Sequence, residues 1–250
     1  LTPSSLELGG KSPHVVFDDA DPARAANGVV SGIFAAAGQT CVAGSRCYIH
    51  ESIHDEVVDR IIAQAADIRI GAPDDETTQL GPLALGSQVE KVGHFVDTAK
   101  KQGAKLAHGG GRPENLGDGW FVDPTVFVNV TNQMLVARDE IFGPVLGIVK
   151  FKTEAELIEL ANDTNYGLAA GIWTQDIDRA LRFVRRIDAG MVWVNTYRAP
   201  SIMSPFGGFK DSGNSKHNGQ AAIHEFSRIK TVVIDYSGAT HDAFVMRVVK

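Results

Sequence analysis

The stretch HVVFDDADPARAANGVVSGIFAAAGQTCVAGSRCYIH, His14 to His50, decides the fold. Its first four residues, His14 to Phe17, are rich in β-branched and aromatic side chains and read as a strand. Asp21 followed by Pro22 offers an N-cap and a proline at the first helical position, and the helix they open is expected to close at Gly38. RCYIH, Arg46 to His50, is a second strand. Strand, helix and strand in succession form the unit from which parallel sheets are assembled.

The same alternation extends outward. Ser52 is read as the cap of a helix whose apolar positions Ile53, Val57, Val58, Ile61 and Ile62 recur at helical spacing, and Leu85 to Gln102 places Val89, Val92, Phe95 and Val96 on one face. A glycine-rich break, Gly109 to Arg112, precedes a β-rich segment from Phe121 to Val130 and a buried-type strand from Val145 to Phe151. Thr153 and Glu156 have capping-box spacing, and Gly171 to Thr174, Asp176 to Ile187 and Met191 to Asn195 continue as strand, helix and strand. The expected class is α/β, a mainly parallel sheet flanked by helices. Thr231 to Tyr236 (TVVIDY) reads as an edge strand that pairs elsewhere.

With 250 residues, 44% of them apolar, the chain can bury a sizeable core. A net charge of −6 with scattered Lys and Arg argues against a nucleic-acid partner. No apolar run approaches the roughly 20 residues that span a bilayer, so no membrane partner is expected, and the opening LTPSSLELGG has no basic or apolar leader pattern. A cytoplasmic location is the expectation, and two cysteines in so long a chain read as free thiols in a reducing compartment. The Asn-x-Thr sequons at Asn129 and Asn162 then carry no meaning. The first residue is Leu rather than Met and an apolar segment follows at once, which points to a piece of something longer.

Four local patterns invite a functional reading. HESIH, His50 to His54, matches the His-Glu-x-x-His zinc motif, but that motif needs both histidines on one continuous helix, and here they straddle a strand-to-helix corner, so no metal is assigned. GGKS, Gly9 to Ser12, lacks the earlier glycine of a phosphate loop, since Ser5 occupies that place, and Pro13 opposes a following helix. Cys41 sits on a short polar turn beside Ala43, Gly44 and Ser45; exposure on a loop near backbone N–H donors can lower a thiol pKa, whereas a buried, inert cysteine is the alternative. Cys47, inside a strand, reads as packing. Glu7, between two leucines, is either a partly buried base or an outward-facing strand residue.

Four ordered motifs, LELGGKSP (Leu6 to Pro13), GQTCVAGSR (Gly38 to Arg46), EIFGPV (Glu140 to Val145) and SPFGGFKDSG (Ser204 to Gly213), resemble those of the aldehyde dehydrogenase superfamily, and the likeness runs from about Leu6 to Tyr236. Cys41 follows Glu7 by 34 positions, which resembles the family's spacing of base and nucleophile. The resemblance implies an aldehyde dehydrogenase catalytic-domain fold with a C-terminal oligomerisation strand. It divides the chain into the end of a dinucleotide-binding domain (1–12), a catalytic domain (13–218) and a C-terminal helix, strand and tail (219–250).

By the same resemblance, Cys41 is the nucleophile that yields a thiohemiacetal and then a thioester, and Glu7 is the base that activates water. NAD or NADP is the implied cofactor. Glu140 matches the acceptor of ribose hydroxyls, Phe142 packs near the ribose and nicotinamide, Leu8 offers a backbone carbonyl to the carboxamide, and Gln88 and Lys91 resemble positions near the same ribose. Phe206 looks like a wall of the aldehyde pocket, and the loop from Tyr197 to Ser204 shapes substrate choice. A homodimer or homotetramer is implied.

Two departures accompany the likeness. His217 stands where the family usually has a glutamate, and the N-terminal half that holds most of the dinucleotide fold has no counterpart here. Three readings therefore coexist: the catalytic half of a dehydrogenase, an inactive or esterolytic fragment, and a CoA-acylating variant.

Overall fold

The computed structural model describes residues 4–199, 201–240, 242 and 244. Its elements, in chain order, are β1 (Pro13–Val16), α1 (Pro22–Phe34), β2 (Arg46–His50), α2 (His54–Ala66), α3 (Gly86–Lys101), β3 (Lys105–His108), β4 (Thr125–Val128), α4 (Leu135–Arg138), β5 (Val145–Phe151), α5 (Glu154–Asn162), β6 (Tyr166–Gly167), β7 (Ala169–Trp173), α6 (Ile177–Arg186), β8 (Met191–Val194), β9 (Phe209–Lys210) and α7 (Ala221–Glu225). Seven strands form one sheet in the order β3-β4-β5-β2-β1-β7-β8, parallel throughout except for the antiparallel edge pair β3 and β4. The short strands β6 and β9 pair separately. This is the α/β class expected from the sequence.

The central strands β1, β2 and β7 are buried almost throughout, which explains their continuous apolar runs. Helix α1 opens as expected: the Asp21 carboxylate accepts hydrogen bonds from the Ala23 and Arg24 N–H groups, with Pro22 at the first position. Its end differs from expectation. The helix stops at Phe34 rather than Gly38, because Ala36 and Ala37 take the left-handed conformation (φ 54° and 53°) inside a tight turn. Alanine resists that conformation, and apolar spacing carries no trace of it. Helix α1 packs on the sheet closely enough that a β-carbon at Gly28 would lie 2.0 Å from the Trp173 ring.

The cap assigned to Ser52 is also corrected. Helix α2 begins at His54 after Ile53, with no side-chain cap, and the Ser52 hydroxyl instead meets His50 Nδ1 at 2.8 Å. Thr153 does cap α5 by accepting from the Glu156 N–H, while Glu156 reaches back to the Lys152 N–H rather than to the cap residue itself.

A buried arginine ties the layers together. Arg46, at the start of β2, donates to the Lys11 carbonyl at 2.8 Å, to the Tyr48 hydroxyl at 2.9 Å and to the Ala161 carbonyl at 2.9 Å. Ala161 lies in the last turn of α5, so the guanidinium satisfies an otherwise orphaned carbonyl at the negative end of that helix. The Tyr48 hydroxyl donates onward to Asn132 Oδ1 at 2.8 Å, which completes the network.

The segment 231–236 forms no strand among the described residues; Val232, Val233, Ile234 and Tyr236 lie exposed. Its expected pairing with another subunit lies beyond what one chain displays. No helix among the described residues is long and apolar enough to cross a membrane.

Candidate active site

The motif residues converge at the amino ends of the parallel strands. Gly9 to Ser12 lead into β1, Cys41 to Ser45 into β2, Glu140 to Pro144 into β5, and Gly190 into β8. Open α/β sheets ordinarily place ligands beyond the carboxyl ends. Here the strand register, which sets Pro13 beside Arg46 and Arg46 beside Gly147, brings the opposite ends into line.

Cys41 is half-buried, whereas Cys47 is fully buried in β2, where burial pushes its thiol pKa far up. The nearest wall to Cys41 is the glycine turn: a β-carbon on Gly10 would stand 2.2 Å from the Cys41 carbonyl oxygen, so no larger residue fits. The Gly10 N–H in turn donates to Glu140 Oε1 at 2.9 Å. Burial raises the Cys41 pKa above the ordinary thiol range; the backbone N–H groups of Val42 and Cys41 oppose that rise, and the Glu140 and Glu7 carboxylates add to it. The expectation that this loop lowers the thiol pKa is therefore corrected: the N–H donors are present, but desolvation and two negative charges outweigh them. The same result places both carboxylates within electrostatic reach of the sulfur.

Glu7 is held by a segment remote in sequence. It bridges its backbone with Gly213, Leu8 N–H donates to the Ser212 carbonyl at 3.0 Å, and Leu6 N–H donates to Asn214 Oδ1 at 2.9 Å. The Glu7 carboxylate meets His217 Nδ1 at 2.6 Å, and His217 Nε2 meets the Ser5 hydroxyl at 2.9 Å. Glu7 is thus exposed yet fixed, which favours the outward-facing alternative over a buried base, with His217 rather than apolar packing holding the carboxylate.

Glu140 and Leu8 line one cavity of about 340 Å³ together with Gly9, Tyr166 and Asp211. Phe142, in the left-handed conformation (φ 58°), lines a crevice that Glu140 and Thr40 share. Gln88 does not reach either cavity; its amide donates to the Ile141 and Phe142 carbonyls at 2.7 and 2.8 Å and so sets the turn that presents Glu140 and Phe142. Lys91 stands one turn further along α3 with its ammonium 6.0 Å from the Phe95 ring centre. Phe206 lines a larger cavity of about 610 Å³ that also includes Val42.

An aromatic stack supports the thiol loop from below. His14 stacks on Tyr197 at 4.4 Å and accepts from Trp173 Nε1 at 2.6 Å, and the Tyr197 hydroxyl donates to the Val42 carbonyl at 2.8 Å. Burial holds the His14 pKa down to about 3, so the ring is neutral. With Nε2 accepting, Nδ1 carries the proton, and it has no partner among the described residues. Sequence reasoning took His14 for an ordinary strand residue; the signal available was a polar ring inside an otherwise apolar run.

The two histidines of HESIH face apart. His50 ends β2 with its ring between Ser52 and the Lys152 carbonyl, and His54 opens α2 against Asp55. No group of three or more metal-binding side chains gathers among the described residues.

A half-buried thiol within electrostatic reach of two carboxylates, set on a parallel α/β sheet with a large cavity at the next residue, defines a candidate cysteine-centred enzyme site. The chain matches the aldehyde dehydrogenase family model over residues 1–232 and belongs to that family. It is 46% identical over 233 residues to a betaine aldehyde dehydrogenase of Brucella anthropi, covering 92% of this chain and 48% of that protein. Among solved structures it is similar to an NAD+ complex of aldehyde dehydrogenase from Bacillus cereus, with a TM-score of 0.90, 41% identity and coverage of 93% of this chain and 47% of the other. A putative aldehyde dehydrogenase from Burkholderia cenocepacia matches with a TM-score of 0.94 and 40% identity, over 96% of this chain and 50% of the other. The chain spans about half the length of the relatives it matches.

Proposed function

We propose that this chain is the thiol-bearing catalytic part of an NAD(P)+-dependent aldehyde dehydrogenase, which oxidises an aldehyde to a carboxylic acid with Cys41 as nucleophile and Glu7 as base. The observation that carries this reading is a half-buried thiol whose backbone lies against Gly10, itself hydrogen-bonded to Glu140 at 2.9 Å, with the Glu140 and Glu7 carboxylates both raising the thiol pKa.

In this reading the Cys41 thiol first loses its proton to solvent water, and the thiolate so formed bonds to the aldehyde carbon while the carbonyl electron pair moves onto oxygen. The N–H groups of Cys41 and Val42, which act on the sulfur, would be the donors that stabilise that oxyanion. NAD(P)+, when bound, supplies the hydride acceptor that leaves the carbon as a Cys41 thioester. Glu7 then takes a proton from water as the water oxygen attacks the thioester carbon; the carbon–sulfur bond breaks, the electron pair returns to sulfur, and the acid departs. His217 steadies the Glu7 carboxylate through that transfer.

For the cofactor, the residues present fit the ribose and nicotinamide end. A carboxylate accepts only, which suits vicinal hydroxyls that donate, and Glu140 faces a cavity whose wall includes Leu8. Phe142 and the Leu8 carbonyl would hold the ring and carboxamide, Gln88 acts through the turn it fixes, and Lys91 lies further out on α3. The exposed apolar tail Val232 to Ile234 is read as the surface on which a second copy pairs.

In the full-length enzyme, Cys41→Ala is expected to abolish cofactor reduction, and near-normal reduced cofactor from that variant rejects the assignment. The half-length match to relatives favours a second reading, in which the chain on its own is an esterolytic or inactive fragment. Calorimetry of the isolated chain with NAD+ separates the two, since tight binding counts against the fragment reading.

A further inference from the structure

The cavity of about 610 Å³ next to Val42 is walled on one side by Trp193 and Phe206 and on the other by the loop that carries Arg198, Ser201 and Ser204. No Asp or Glu is among the described residues that line it. Arg198 is half-buried and, among the described residues, makes no ion pair and no side-chain hydrogen bond. The contrast within the same molecule is informative. Every other described arginine that is buried or half-buried is paired: Arg46 with three carbonyls and a hydroxyl, Arg138 with Asp163 at 2.8 Å, and Arg179 with Asp18 and Asp19 at 2.9 and 3.0 Å. A guanidinium withdrawn from water against apolar walls loses hydration, and its five fixed donors are best met by a carboxylate taken two-pronged.

We propose that this cavity takes aldehydes that carry a carboxylate of their own, oxo acids whose carboxylate pairs with the Arg198 guanidinium while the aldehyde carbon reaches Cys41. The inference rests on the reading of Cys41 as the nucleophile. On the same loop the Ser204 hydroxyl donates to Ser201 Oγ at 3.2 Å, which leaves the Ser201 O–H as a further donor for a carboxylate oxygen. The apolar wall of Trp193 and Phe206 suits the short methylene chain between the two ends. A cationic aldehyde of equal length meets an unopposed positive charge and is disfavoured.

The test compares kcat/KM for three probes of matched length, 4-oxobutanoate, butanal and 4-trimethylammoniobutanal, in the full-length wild type, Arg198→Met and Arg198→Lys. The quantity read is the ratio of anion to neutral probe, so a general loss of activity cancels. The wild type is expected to favour the anion, the ratio falling about 10-fold to 100-fold in Arg198→Met and only partly in Arg198→Lys, which keeps the charge but loses the fork. A second arm needs no turnover: the rate of Cys41 alkylation by iodoacetate relative to iodoacetamide, followed by mass, is expected to drop several-fold in Arg198→Met. An anion-to-neutral ratio unchanged by Arg198→Met in either arm overturns the inference. Failure of iodoacetamide itself to modify Cys41 strikes instead at the nucleophile reading, so the two failures are distinct.

Discussion

Glu7 Oε1 lies 2.6 Å from His217 Nδ1, and this contact joins the two halves of the candidate site across almost the whole length of the chain. The far ring nitrogen meets Ser5, so the imidazole is held on both sides and the carboxylate is held through it. A carboxylate that must accept a proton from water gains from being fixed before the water arrives. The residue that departs from the family pattern is therefore the one that grips the proposed base.

From this pairing follows a kinetic signature. Glu7→Gln in the full-length enzyme is expected to lower steady-state turnover about 10²-fold to 10⁴-fold while a first burst of reduced cofactor survives, because thioester formation does not need the base and hydrolysis does. His217→Ala should give a milder version, about 3-fold to 10-fold, in the same step. Stopped-flow absorbance measures both; loss of the burst in Glu7→Gln would show that Glu7 acts earlier.

The thiol itself answers to the carboxylates. Since burial, Glu140 and Glu7 raise the Cys41 pKa, its alkylation by iodoacetamide should climb with pH through a range above that of an ordinary thiol. Glu7→Gln removes one repelling charge, lowers the thiol pKa and is expected to speed alkylation at pH 8 by about 2-fold to 5-fold. An unchanged rate-versus-pH curve would separate Glu7 from the sulfur.

Two buried basic groups set a pH dependence of stability. His14 binds a proton near pH 6.5 when unfolded but only near 3 in the fold, so the unfolded state holds more protons between those values and stability falls as pH drops through that window. His14→Gln is expected to flatten the urea midpoint's fall between pH 6.5 and 4 by up to about one proton, roughly 1.4 kcal/mol per pH unit. Lys11 is held down to about 7 from 10.5 by burial first and then by Arg46, so it favours stability rising from pH 7 toward 10.5. Its ammonium nitrogen has no partner among the described residues, and Lys11→Met should stabilise the protein at pH 7 by about 1–3 kcal/mol and abolish that rise.

Arg46 works in the opposite direction. Arg46→Met leaves the Ala161 and Lys11 carbonyls and the Tyr48 hydroxyl without their donor, and a loss of about 3 kcal/mol or more is expected in urea unfolding. A change under 1 kcal/mol would mean that the network contributes little.

Much of the architecture could be read from residue pattern, and the failures have physical causes. Strand β5 was expected where it lies because its seven residues, buried except at Lys150, form a near-continuous apolar run of strand length. Strand β3, just before the glycine-rich break at Gly109, was passed over, since it is a half-exposed antiparallel edge with little apolar patterning. The early end of α1 turned on two left-handed alanines, a backbone feature with no side-chain signature. At the site, Cys41, Glu7 and Glu140 were nameable from motifs, whereas the grip of His217 on Glu7 and the support of His14 beneath Val42 come only from three-dimensional register.

Cys41 is expected to carry the acyl group. The direct measurement is peptide mass mapping of full-length Glu7→Gln after brief incubation with aldehyde and oxidised cofactor. The acyl mass is expected on the peptide that contains Cys41 and none on Cys47; an acyl group at Cys47 alone, or none despite a burst of reduced cofactor, would contradict the role of Cys41.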